Sequence, residues 1–273
     1  MKQVYLTMCN STNYLKGVYI LYRSLIDVKS QHDLIVMIPD ENNLELKNFL
    51  IGNNIKFIEV KLNLNVKTKN EYYWEKTFDK LAMFGLTQFD KIVFLDSDMV
   101  ILKNIDDLFM CENMSAVVAG KCITGNENFT KLNSGLLVIK PNKETLNNLI
   151  NLIPKVVDKK SFCGDQDVIQ DYFVDWEENS HLELPQEYNF FFEGVNNCYL
   201  EGKIRLENLK VVHFVGKLKP WMQEYKSYFK KIKFKQVLKA LLHCDFKAIK
   251  FENEILNKIN EYLQEIINGS KQD

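Results

Sequence analysis

The first sixty residues carry three apolar runs separated by amphipathic stretches. Residues 3–9 alternate loosely as a strand, and Ser11 or Thr12 stands where a cap is needed for a helix. In that helix Leu15, Val18, Tyr19, Tyr22, Leu25 and Ile26 recur at helical spacing. A second strand, Leu34–Ile38, ends at Pro39-Asp40. A helix over about Leu44 to Leu50 stops at Gly52, and a third strand runs from Ile55 to Val60. This β-α-β-α-β order predicts the α/β class, with a mostly parallel central sheet covered by helices. Ligands of such sheets bind outside the carboxyl ends of the strands.

Residues 61–70 are polar and asparagine-rich, the pattern of a mobile loop. Phe78, Leu81, Ala82 and Phe84 predict a helix over about Glu75 to Leu86, with Lys80 on a different face from Phe78. Lys91–Leu95 reads as a short buried strand, and Asn104 to Phe109 as a capped turn or short helix. Further strands are predicted at Ala116–Ala119, Leu136–Ile139 and Val211–Phe214, with an irregular turn at Leu184–Asn189. Helices are predicted from Lys143 to Ile153, stopping near Pro154, and from Cys163-Gly164-Asp165 through Val168, Ile169 and Tyr172. From Lys226 onward lysines interleave with apolar residues as a basic amphipathic helix or helix pair, followed by a helical run over 251–267. The expected organisation is a domain over 1–224, and C-terminal helices over 225–273 that either pack on it with a solvated lysine face or serve attachment to an anionic membrane surface or a partner.

The chain has 273 residues, 46% of them hydrophobic and 26% charged, which suits a soluble globular protein. A net charge of −1 argues against the broad basic field of a nucleic-acid binder. No secretory leader or spanning run is read in it. The six cysteines are scattered and form no Cys-x-x-Cys, so reduced thiols and a cytoplasmic location are expected.

Chemistry concentrates at Asp96-Ser97-Asp98, directly after the strand that ends at Leu95. Two carboxylates one residue apart repel each other, and a divalent cation, Mg²⁺ or Mn²⁺, relieves that repulsion. The bland reading is a turn or a helix cap. Asn133-Ser134-Gly135 at a strand's start allows a ligand close to the backbone, or is an ordinary turn. Asp165 is either a cap or, with Gln166, a polar pair presented at a helix N-terminus. Lys80 is either solvated or a phosphate contact. His213 runs into Gly216 and Lys219, a spacing that suits a metal ligand followed by a phosphate contact as well as a structural histidine. The apolar strand before Asp-Ser-Asp-Met-Val also matches the nucleophile segment of haloacid-dehalogenase-type phosphatases, although there the strand comes early in the chain.

In order along residues 3–221, Thr7 with Tyr14-Leu15-Lys16-Gly17, Lys80-Leu81, Leu95-Asp96-Ser97-Asp98, Asn104 to Phe109, Asn133-Ser134-Gly135, Gly164-Asp165-Gln166, Leu184-Pro185 with Tyr188-Asn189, and His213 to Trp221 resemble the glycogenin-like branch of glycosyltransferase family 8. The galactinol synthases share much of this framework. The resemblance implies a GT-A fold with a single nucleotide-sugar-binding domain, and a retaining hexosyltransferase that uses a UDP-sugar, UDP-glucose first, with Mn²⁺ or Mg²⁺. It implies Asp96, Asp98 and His213 as metal ligands, Gly216 and Lys219 on the diphosphate, and Lys80 on the donor. Thr7, Asn10, Tyr14 and the backbone at Ser97 would surround the uridine, and Asn133, Ser134, Asp165 and Gln166 the sugar. The catalytic work would fall to Asp165, Gln166 and Lys80. A hydroxyl acceptor of open identity and a homodimer are implied as well. Two departures stand out. Phe162 and Cys163 replace an aspartate and a glycine of glycogenin, and the place of its self-glucosylated tyrosine falls on Asn196, with Tyr199 nearest. A sugar-nucleotide-binding protein without turnover is the remaining alternative.

Overall fold

The computed structural model describes residues 1–39, 43–62, 64, 77–160 and 163–269, with the backbone alone for 226–231 and 269. Most of the predicted loop over 61–70, the first residues of the predicted helix at Glu75, and Phe162 lie outside the described residues.

A five-stranded sheet is ordered β3-β2-β1-β4-β6, from β1 (Gln3–Met8), β2 (Leu34–Ile38), β3 (Lys56–Glu59), β4 (Lys91–Leu95) and β6 (Leu136–Ile139). The first four strands are parallel and β6 is antiparallel to β4. α1 (Leu15–Asp27) and α2 (Leu44–Gly52) supply the crossovers that parallel pairing requires. β1 and β4 are apolar throughout their middles because both faces are covered. A second sheet, β5-β8-β7, is built from β5 (Met99–Ile101), β7 (Phe190–Phe191) and β8 (Val211–His213). Its β5 follows β4 after the Asp-Ser-Asp turn, so that turn is pinned by one sheet on each side.

Three expectations need correction. Residues 78–85 form a 3₁₀ helix rather than an α-helix. The helix is buried nearly all round, so Lys80 lies inside, at 4% exposure, instead of on a solvated face. Ala116–Ala119 is not a strand: Ala116 makes single bridges to Leu137 and Glu183, and Val117 then accepts from the Asn133 N–H, so no ladder propagates. The helix at 143 does not stop at Pro154 but runs as α3 (Lys143–Lys159), because Leu149, Ile153, Val156 and Val157 keep one buried stripe on both sides of the proline. Next comes α4 (Asp165–Tyr172), then the short α5 (Val195–Leu200).

The C-terminal segment forms α6 (Gln223–His243) and α7 (Lys247–Gly269), reversed at Cys244 in the left-handed region (φ 50°). Ile255, Ile259 and Tyr262 of α7 share a core with Val18, Tyr19 and Phe214. Arg23–Glu265 at 2.8 Å and Tyr262 to Asp27 at 2.8 Å tie α7 to α1 at the rim.

Where α5, α6 and α7 meet, Asn196, Gln236 and Glu252 are buried together. The Glu252 carboxyl accepts from the Asn196 N–H and the Gln236 amide, both at 3.2 Å, while its second oxygen has no partner. Burial pushes this carboxyl up to about 8. The folded state therefore holds a proton that the unfolded chain releases above its ordinary 4.5, so the stability linked to Glu252 is full at acid pH and is lost as pH rises through about 8. Glu252→Gln keeps both accepted bonds and carries no charge. It is expected to raise stability at alkaline pH by about 1–3 kcal/mol and to flatten the decline of Tm between about pH 4.5 and 8. An unchanged Tm profile in thermal melts would exclude Glu252 as its source.

Candidate active site

The register of β5 against β8 builds the centre of the site. Met99 pairs with His213, and the Phe214 N–H donates to the Asp98 carbonyl at 2.9 Å, so the histidine lies beside the Asp-Ser-Asp turn. His213 Nε2 is 3.1 Å from Asp98 Oδ1 and 3.9 Å from Asp96 Oδ2. One ligand atom from each of the three residues falls within 4.8 Å of the others, a set that could hold a divalent cation.

Two lysines complete the charge balance. Lys219, buried on the segment after β8, reaches Asp98 at 2.5 Å and also donates to the Phe214 carbonyl at 2.7 Å. Lys80 lies 2.9 Å from Asp96 and 3.2 Å from Asp165, with its ammonium 4.5 Å above the Phe94 ring. Burial disfavours the Lys80 ammonium, but Asp165 and Asp96 outweigh it and hold the group above the usual lysine value. Burial also opposes ionisation of Asp98, yet His213 and Lys219 keep its carboxyl well below the usual range. Asp96, a third of whose side chain stays open, is pushed upward by burial and by Asp98 against the pull of Lys80. Removing Lys80 alone would leave the buried Asp165 and the partly open Asp96 without their shared counter-charge.

A hydrogen-bond chain fixes the orientation of the remaining groups. The backbone N–H of Ser134 donates to Gln166 Oε1 at 3.0 Å, and that of Gly135 to Asn133 Oδ1 at 2.9 Å. Backbone donors settle which amide atom is oxygen. Asn133 Nδ2 then donates to Gln166 at 3.1 Å, and Asn189 Nδ2 to Asn133 Oδ1 at 2.9 Å. This leaves Asn189 Oδ1 facing His213 Nδ1 at 2.9 Å, so Nδ1 carries the hydrogen and Nε2 is the ring atom turned to the carboxylates. Asn189 is fully buried, and the motif that contains it had been given no role in the site. The Ser134 hydroxyl donates to Asp165 at 2.8 Å, and the Asp165 N–H donates to Thr77 at 3.1 Å. Asp165 is the first residue of α4, whose cap is Gly164.

Gly135 is required by packing. A Cβ there would come within 2.8 Å of His213 Cε1 and 3.0 Å of Asp96 Oδ2.

Asp96, Asp98, His213, Lys219, Lys80, Asn133, Ser134, Asp165 and Gln166 thus form one cluster. The remaining candidates lie along its β1 side. Thr7 is near the carboxyl end of β1, buried, and its hydroxyl has no hydrogen-bond partner. Asn10 and Tyr14 follow, half-buried, and the Trp221 indole donates to the Asn13 carbonyl at 3.1 Å and faces the Tyr14 ring. Gly17 lets α1 approach the Ser97 carbonyl, which a Cβ would meet at 2.5 Å. Gly216 is exposed at φ +89°, a backbone that L side chains rarely adopt. The phosphatase alternative calls for its nucleophile after an early strand, whereas Asp96 follows the fourth strand in sequence.

Asn196 is buried on α5, and the Tyr199 hydroxyl donates to Asp245 at 2.8 Å. Neither presents a free hydroxyl to the cluster.

The profile of "Glycosyl transferase family 8" matches residues 5–224. Human glycogenin-1 is 28% identical over 256 residues, covering 89% of this chain and 69% of that protein. UDP-glucuronate:xylan alpha-glucuronosyltransferase 2 of Arabidopsis thaliana is 28% identical over 235 residues, covering 83% of this chain. The chain spans only 37% of that plant protein's length. The crystal structure of the glycosyltransferase GlyE of Streptococcus pneumoniae TIGR4 superposes with a TM-score of 0.58 at 19% identity, over 94% of this chain and 63% of GlyE. The fold is therefore GT-A, as the resemblance implied.

Asn189→Leu removes the acceptor that orients His213, and Gly135→Ala crowds the ring. Each is expected to weaken divalent-cation affinity about 10–100-fold with the circular dichroism spectrum unchanged. Wild-type affinity in both, by calorimetry, would show that the cation does not depend on His213.

Proposed function

The chain belongs to glycosyl transferase family 8, and on that premise we propose that it is a retaining, metal-dependent enzyme that transfers a hexose from a UDP-sugar to a hydroxyl acceptor. The observation that carries this reading is the convergence of Asp96, Asp98 and His213 with Lys80, Lys219, Asp165 and Gln166 at the strand ends. The donor set fits Mn²⁺ or Mg²⁺, since two carboxylates and a neutral imidazole nitrogen suit a divalent cation of that hardness. When bound, the cation would supply positive charge to the departing diphosphate.

The chain's own groups divide the rest of the work. Lys219, with the backbone at Gly216, is assigned to the diphosphate, where its ammonium stabilises developing negative charge. The partnerless Thr7 hydroxyl, with Asn10, Tyr14 and the backbone at Ser97, is assigned to the uridine. Asn133 and Ser134 position the sugar. Lys80 pairs with Asp165 beside Gln166, and these two side chains are assigned to the carbon from which the diphosphate departs. UDP-glucose is the favoured donor. The xylan glucuronosyltransferase relative is named for UDP-glucuronate, which makes that sugar nucleotide the principal competitor. A protein, a glycan or a polyol supplies the acceptor hydroxyl. A cytoplasmic location and a homodimer belong to the same reading.

Incubation with UDP-glucose and Mn²⁺ is expected to release UDP slowly without acceptor, and Asp98→Ala to lower the rate by a factor on the order of 10²–10³. Absence of both binding and turnover across UDP-glucose, UDP-glucuronate and UDP-galactose would sink the proposal. Intact mass after the same incubation is expected to show no added hexose, because Asn196 and Tyr199 offer no free hydroxyl. A hexose mapped to Tyr199 would reverse that expectation.

A further inference from the structure

The outer side of α6 carries an apolar stripe that nothing among the described residues covers. Phe234, Leu238, Leu241 and Leu242 recur at i, i+4, i+7 and i+8, so they share one helix face, and Phe246 lies beyond the turn at Cys244. All five are exposed, Phe234 at 67% and Leu242 at 84%. The opposite face packs inward through Gln236 and Ala240. Over residues 234–242 the stripe extends about 12 Å at the helical rise. Lys235 and Lys239 flank it, both exposed, and Lys247 and Lys250 follow on α7.

Charge selects the occupant. Residues 226–250 contain eight lysines and a single acid, Asp245, a net of +7 in a chain whose total is −1. A second copy docking through the same stripe would bring two such segments together, and like charges oppose that association. Among the described residues no helix is long and apolar enough to cross a membrane. An apolar stripe edged by lysines, on a helix that cannot span, has the chemistry of an interfacial element. Its apolar side chains enter the boundary of headgroups and acyl chains, and its ammonium groups meet lipid phosphates and carboxylates at the surface.

We propose that α6 docks the protein onto a bilayer of anionic phospholipid, with Phe234, Leu238, Leu241 and Leu242 inserted and the flanking lysines at the headgroups. The inference is independent of the sugar chemistry, because none of these residues belongs to the cluster around Asp96.

Co-sedimentation of the full chain with vesicles of phosphatidylserine and phosphatidylcholine, against phosphatidylcholine alone, tests it. Binding to the anionic vesicles is expected to exceed binding to the neutral ones about tenfold or more, and to weaken in high salt. The triple variant F234S/L238S/L242S and the charge reversal K235E should each reduce partitioning, the triple variant about tenfold or more, with thermal melting and UDP release unchanged. Equal binding to both vesicle types, or undiminished binding by the triple variant, would overturn the proposal. So would a concentration-dependent dimer, seen by light scattering, that the triple variant abolishes while no vesicle is bound.

Discussion

Three carboxylates crowd the carboxyl ends of the central strands, and they are tolerated because two lysines and an imidazole stand among them. Asp96 meets Lys80, Asp98 meets Lys219 and His213, and Asp165 meets Lys80. Buried charge of one sign would drive the groups to neutralise or the strands to part. With this balance the ends of β4, β5 and α4 can be drawn together. Much of the fold serves to deliver those three groups: the 3₁₀ helix carries Lys80, β8 places His213 opposite Met99, and the segment after β8 doubles back to bring in Lys219.

The parts of the site legible in the sequence were those with local signatures. An apolar run followed by Asp-Ser-Asp marks both the strand and its chemistry, and a histidine leading into Gly216 and Lys219 marks the second strand. The β-α-β-α-β opening was equally plain, since periods of two and 3.6 residues are set by local geometry. Lys80 was ambiguous because its helix is buried nearly all round and its partners Asp96, Ser134 and Asp165 lie far along the chain, which no local pattern carries. Asn189 had no local signal at all. Its importance comes from the polarity of a chain anchored at two backbone N–H groups far along the sequence. Pro154 misled in the opposite direction, because tertiary burial of α3 outweighs the missing hydrogen bond.

The C-terminal helices divide their roles. α7 enters the core beside α1, whereas α6 is held on its inner side by Ala240 and by a polar cluster that contains a carboxyl of raised pKa. A helix fastened through polar groups on one face and apolar on the other cannot be read from a single hydrophobic stripe, so its periodicity alone did not tell which side faces the protein.

The chain Ser134–Gln166–Asn133–Asn189–His213 also makes two properties inseparable. Each amide in it has one oxygen and one nitrogen, so its polarity propagates like a row of dominoes from a backbone anchor to the imidazole. A substitution that flips any one amide would change which nitrogen of His213 is free, and with it the cluster's hold on a cation. Evolution or design that alters the lining at Asn133 or Gln166 would therefore also alter the centre at Asp96 and Asp98. Variation at these positions is expected to be correlated with variation at 189, rather than free.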